Sequence, residues 1–179
     1  MYPFIIENKK EEKPVNKIQK ITTNLWFNTE AEEAAQFYVS IFQQSKLERI
    51  TYYQNAYDNQ DQTKRKVMTV EFQLEGQKFV ALNGGPQYKF TEAISFFVHC
   101  DSQEELDYYW DRLSEDGDKK AQVCGWLKDK FGVSWQIIPT NLTEMISDDD
   151  QEKAGRVMNA LLQMKGKIDM NALERAYEE

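Results

Sequence analysis

Two side chains in this sequence have a type and setting suited to chemistry at a reacting atom: Glu71 and Cys124. Glu71 stands in a run where Met68, Val70, Phe72 and Leu74 alternate with Thr69, Glu71 and Gln73. That period of two puts Thr69 and Glu71 on the polar face of one strand. A carboxylate there can move a proton or hold a cation. Cys124 opens the stretch CGWLKDKFGVSWQIIP, Cys124–Pro139. A thiol attacks only as thiolate, which needs a base or a positive charge nearby, and Lys128 is the closest in sequence. A free cysteine is more often an inert core residue. The single histidine, His99, has no partner at metal-ligand spacing and reads as an ordinary surface or core residue.

The elements that must position these groups follow from periodicity. Cys124–Pro139 reads as a hairpin: Trp126-Leu127 lead in, Asp129-Lys130-Phe131-Gly132 turn, and Val133–Ile138 lead out. Ser134 and Gln136 fall on one face, and Val133, Trp135 and Ile137 on the other. Lys128 and Asp129 most simply serve the turn. Earlier in the chain, Ile18–Phe27 reads as a strand. Thr29 and Glu32 fit a capping box before a helical stripe of Ala31, Ala34, Ala35, Tyr38, Ile41 and Phe42. Strands over Leu47–Tyr53, Val67–Leu74 and Gln77–Leu82 follow, with a polar loop at Asn55–Lys66. Asn83-Gly84-Gly85-Pro86 breaks regular structure.

The order then restarts. Ile94–Cys100 reads as a strand. Ser102 and Glu105 form a capping box for a stripe of Leu106, Tyr109, Trp110 and Leu113. Lys119–Pro139 supplies three more strands. A shift of 72 lays Glu32-Glu33 on Glu104-Glu105 and Phe37-Tyr38 on Tyr109-Trp110; a shift of 56 lays Gly76 on Gly132 and Phe79 on Trp135. This is an internal repeat. The expected fold is α+β, two tandem βαβββ modules (18–83 and 94–140) making a curved eight-stranded mixed sheet. An N-terminal arm (1–17) precedes them and a C-terminal helical extension (141–179) follows. In the extension, Asp148–Asp150 can cap a helix with a stripe of Ala154, Val157, Met158, Leu161 and Leu162. Gly166 ends it, and Asp169 starts a last helix.

Bulk properties narrow the partners. The net charge of −8 and pI near 4.9 disfavour nucleic acid and anionic membrane surfaces, which need clustered Lys and Arg. Two cysteines are too few for a disulfide framework, and neither a signal peptide nor a membrane-length apolar run is seen. A soluble cytoplasmic protein is the expectation.

Leu25-Trp26-Phe27, Glu32-Glu33-Ala34, Phe37-Tyr38, Met68–Phe72, Ala81–Pro86 and Cys124–Pro139 together resemble the vicinal oxygen chelate superfamily of glyoxalases, extradiol dioxygenases and bleomycin-resistance proteins. Within it they resemble the PhnB-like branch, also called 3-demethylubiquinone 3-methyltransferase-like. The resemblance implies that metal ligands, where present, come from positions near Thr22, Val80, Ile94 and Gln136. None of these is His, Asp or Glu, so neither metal nor other cofactor is expected. Asn83–Pro86 lacks the spaced glycines and following helix of a cofactor loop, so methyl transfer has no support in the sequence.

The implied cleft would take its lining from Asn24, Trp26, Thr69, Glu71, Asn83, Gly84, Phe96, Cys124 and Gln136, an aromatic and amide-rich set with one acid. The expected role is metal-independent binding of a small, partly aromatic molecule. The alternative is an enzyme using Glu71 or Cys124. Such relatives commonly pair copies between chains, so a homodimer is expected. Elemental analysis of the purified protein is expected to find well under one tightly bound divalent ion per chain; one ion per chain would overturn the metal-free reading.

Overall fold

The computed structural model describes residues 19–57, 61 and 65–179. The expected arm (1–17) and the centre of the polar loop lie outside these residues. The first module contains β1 (Thr23–Phe27), α1 (Ala31–Ile41), β2 (Lys46–Tyr57), β3 (Arg65–Leu74) and β4 (Gln77–Asn83). Its sheet runs β1-β4-β3-β2, with β1 parallel to β4 and the other pairs antiparallel. α1 lies against one face, which carries the buried Leu25, Phe27, Val70, Phe72, Leu74, Phe79 and Ala81.

The hairpin β2–β3 reaches further into the expected loop than its polar composition suggested. Three register shifts bend it, and Arg65 stacks over the Tyr52 ring at 4.6 Å. Cross-strand packing, which side-chain polarity alone does not report, extends these strands.

The second module contains β5 (Phe96–Cys100), α2 (Gln103–Ser114), β6 (Trp126–Lys128) and β7 (Ser134–Pro139), with sheet order β5-β7-β6. The strand expected from Lys119 is instead a 3₁₀ turn, Lys119–Ala121, whose Lys120 N–H donates to the Asp118 carboxylate at 2.9 Å. The described residues thus form seven strands in two sheets, rather than eight in one curved sheet. The α+β class holds, and the order of elements repeats with one strand fewer in the second module.

The repeat also has an offset that a constant shift concealed. Thr23 pairs with Phe79, and Phe96 pairs with Trp135. Trp135 is 56 positions after Phe79, but Phe96 is 73 after Thr23, while the helix stripes stay 72 apart. The turn from strand to helix is one residue shorter in the second copy. In a strand a one-residue slip exchanges the two faces. Val98 and Cys100 therefore sit in the core like Leu25 and Phe27, and Phe97 and His99 point outward, with Phe97 59% exposed.

The C-terminal helices α3 (Leu142–Ile146), α4 (Gln151–Gln163) and α5 (Met170–Glu178) pack on their own chain. Asp150 and Asp169 cap α4 and α5, as their positions suggested. Val157, Ile168 and Leu173 are fully buried. Between α4 and α5 the chain runs beside the lead-in to β6: the N–H groups of Cys124 and Gly125 donate to the carbonyls of Met164 and Gly166, at 3.1 and 2.8 Å. Gln103 of α2 donates to the Ile168 carbonyl and accepts from Met170 N–H, and Lys167 bridges Asp107 and Asp111. This segment occupies the side of β6 where β2 lies in the first module.

The contact demands glycine at 125. Its φ is +83°, and a Cβ would stand 2.8 Å from Ile168 Cδ1 and 2.9 Å from the Ile137 carbonyl oxygen. Gly125→Ala is expected to destabilise the fold by about 2–4 kcal/mol, combining backbone strain with overpacking; urea unfolding followed by tryptophan fluorescence measures it.

Candidate functional site

The face of the first sheet away from α1 is built by alternation. Cross-strand partners share a face, so Asn24, Val80, Glu71 and Arg49 form one row. Trp26, Leu82, Thr69 and Thr51 form the next, where the Thr51 and Thr69 hydroxyls are 2.6 Å apart. These side chains range from partly buried to exposed, whereas those facing α1 are buried. Four of the sequence-selected residues, Asn24, Trp26, Thr69 and Glu71, therefore meet on one open surface. Among the described residues, Glu71 has no hydrogen-bond or ion-pair partner for its carboxylate.

A loop holds Trp26 in place. The indole Nε1 donates to the Gly85 carbonyl at 2.9 Å, and Tyr88 meets the ring edge-on at 5.0 Å. A Cβ on Gly84 would lie 2.3 Å from the indole, so only glycine allows this approach. Beyond the loop a pocket of about 500 Å³ opens between Trp26, Tyr88, Phe90, Phe131, Lys89 and Lys130. Asn83 is not on the open surface. It is buried, its Oδ1 accepts from Ala31 N–H at 2.8 Å and its Nδ2 donates to the Val67 carbonyl at 3.2 Å. It ties the start of α1 to β3, and Tyr53 donates its hydroxyl to the Asn83 carbonyl at 2.6 Å.

The remaining selected residues lie elsewhere. Phe96 packs into the core against Phe79 and Trp135, the face change caused by the register offset. Gln136 belongs to the second sheet and donates to Ser95 Oγ at 2.7 Å. Its expected neighbour Ser134 is 2% exposed, in the interior rather than on a wet face. Cys124 has φ +49° and its thiol lies 3.4 Å from the Met164 carbonyl, beside the C-terminal segment and apart from the open surface. The thiol of Cys100 is buried, and burial, then Glu105 and Asp101, pushes it up to about 12. Among the described residues no three His, Cys, Asp or Glu side chains cluster as metal ligands. Thr22 lies outside β1, and Ile94 is 73% exposed in a bend before β5.

The group that sequence reading undervalued is Asp129, 2% exposed between the modules. Its Oδ1 accepts from the N–H groups of Phe131 (2.9 Å) and Val133 (3.0 Å), and its Oδ2 from Tyr38 OH (2.8 Å) and Trp135 Nε1 (2.9 Å). The signal was present as an aspartate opening a tight turn, where its side chain bonds the backbone two residues on. The two long-range donors carry no local signal. Burial raises the Asp129 carboxyl above its ordinary range; the indole, the phenol and the two peptide donors pull it back without cancelling that. Burial, and then the Asp129 charge, raise the Tyr38 phenol well above its usual range. Asp129 is closed off from the open surface and acts as a joint between modules.

A sequence profile described as 3-demethylubiquinone-9 3-methyltransferase matches residues 19–138. The chain belongs to this family, the PhnB-like group. Among solved structures it is similar to a Bacillus cereus PhnB protein whose name carries the same methyltransferase description. The two are 38% identical, with a TM-score of 0.55 over 66% of this chain and 97% of that one. The fold also matches protein PA1353 from Pseudomonas aeruginosa, at 22% identity and TM-score 0.52 over 65% of this chain and 94% of that one. No curated protein matches.

Because folding raises the Asp129 pKa, the folded state holds this proton more tightly. Its contribution to stability is full below about pH 4, the ordinary carboxylate range, and is lost as pH rises through the folded pKa. The stability of the natural protein minus that of Asp129→Asn is expected to fall from pH 4 toward neutrality. Tyr38→Phe is expected to cost about 1–3 kcal/mol, because it leaves a buried acceptor under-satisfied. Thermal unfolding across pH checks both.

Proposed function

We propose that this PhnB-like protein binds a small, partly aromatic molecule on the open face of its first sheet, without a metal ion, as a homodimer. One observation carries the reading. Glu71 stands partly buried with no partner among the described residues, in the same row as Asn24 and beside the row of Trp26, Thr69 and Thr51. A carboxylate held on a strand without a protein partner is a site for a complementary group of a ligand, a cation or a hydrogen-bond donor. The clamped indole beside it offers a rigid surface for a planar group.

The positions that would hold a metal in the wider superfamily carry Thr22, Val80, Ile94 and Gln136, which supply no carboxylate or imidazole. The open face is also shallow within one chain. A second copy laid across it would supply a facing wall, and the partly exposed Tyr52 on β2 suits such a contact. Catalysis by Glu71 is the second reading, favoured by the same unpaired carboxylate. The Cys124 route has little support, since its thiol lies against the Met164 carbonyl.

Screening aromatic amines and guanidines by thermal shift is expected to yield binders without turnover. Glu71→Gln is expected to weaken them roughly 10-fold or more, the scale of one hydrogen bond to a charged group. Turnover abolished by Glu71→Gln would select the enzyme reading; binders indifferent to Glu71→Gln would remove both readings from this face. Sedimentation is expected to give twice the 21.1 kDa chain mass at micromolar concentration, and a monomer would remove the dimer.

A further inference from the structure

A second cavity, of about 560 Å³, lies between the modules around β5, lined by the core-facing Phe96 and Val98 and, past the strand's edge, by the outward Phe97 and His99. This volume is in the range of small-molecule sites, roughly 300–1,000 Å³. Its floor is aromatic. Phe96 lies 5.3 Å from Trp135 and 5.5 Å from Phe79, and Phe42 stacks on Tyr109 at 5.1 Å. Its rim is acidic, with Glu75 from the β3–β4 turn and Glu105 from α2. His99 is the basic side chain of the lining, and no lysine or arginine is among the described residues that line it.

Each rim carboxylate has one oxygen engaged and one left over. Glu75 Oε1 accepts from Gln44 N–H at 3.1 Å, and Glu105 Oε2 from Asp101 N–H at 2.8 Å. The field of both acids reaches inward. The Tyr109 phenol, on the cavity wall, is pushed up to about 12 by burial and then by Glu75 and Glu105.

We propose that this cavity is a second binding site, selective for a planar aromatic cation. Aromatic faces attract a cation through their ring quadrupole, and the effect strengthens where water is excluded. The two carboxylates add charge complementarity at the mouth. A neutral ring gains only the stacking, and an anionic ring meets repulsion from the rim. Nothing in this site uses Glu71, Trp26 or the open face, so it stands apart from the function proposed above.

Isothermal titration calorimetry with three probes tests it: N-methylacridinium, neutral acridine at pH 7.5, and anthracene-9-carboxylate. N-methylacridinium is expected to bind at least about 10-fold more tightly than acridine, and the carboxylate not detectably. The double variant Glu75→Gln/Glu105→Gln keeps both acceptor oxygens and hence the turn and the helix cap. It is expected to abolish the preference for the cation while leaving acridine binding unchanged. Gln77→Lys, at the exposed rim, is expected to weaken the cation by a similar factor. Glu71→Gln is expected to remove at most binding at the open face and to leave the preference set by Glu75 and Glu105 in place. Equal binding of cation and neutral ring, or a preference that survives both rim variants, would overturn the proposal. A preference lost on Glu71→Gln would also overturn it, by assigning the cation to the open face instead.

Discussion

The structure turns on a carboxylate that has left water. Asp129 lies at the seam of the two modules, bonded to its own turn through two peptide N–H groups and to α1 and β7 through a phenol and an indole. A buried carboxylate is tolerable only when its lone pairs are satisfied. Four donors must therefore arrive together, and they come from positions 38, 131, 133 and 135. Around this point Tyr38, Phe37, Phe131, Trp135 and Phe42 interlock, with ring centroids 5.4–6.0 Å apart. The aromatic seam provides the burial, and the carboxylate makes that burial specific.

With the seam in place, alternation along the strands does the rest. Each strand of the first sheet sends one face to α1 and the other outward, so the core and the candidate site are made by the same backbone. Val70 and Phe72 cannot be buried without Thr69 and Glu71 facing away. The loop at Gly84–Tyr88 then fixes Trp26 at the margin of that outer face, where a ligand would find it already oriented.

Much of this was legible in the sequence. Periodicity showed the helices, the strands of the first module and the repeat, and the family resemblance laid on that repeat placed Asn24, Trp26, Thr69 and Glu71 together. It failed where the signal is not local. A one-residue difference in a turn exchanged the faces of β5, so Phe96 went to the core and Phe97 outward. The segment from Lys119 is too polar and short to hold a strand and closes as a 3₁₀ turn. Asp129 looked like a turn residue because its local bonds are those of a turn, and its partners at Tyr38 and Trp135 appear only in three dimensions. Cys124 stood as a candidate nucleophile, but the left-handed backbone of Cys124-Gly125 serves the close passage of Ile168.

That passage bears on how copies of this chain can join. A sheet margin with free N–H and C=O groups invites another strand. In the second module one margin is β6, and the chain between α4 and α5 closes its leading end while Asp118 N–H bonds the Lys128 carbonyl at its trailing end. Strand-to-strand growth through β6 is thereby blocked. Among the described residues the margins left open are β1, β2 and β5, and β5 carries the outward Phe97. The helical tail thus acts as a stopper on that margin.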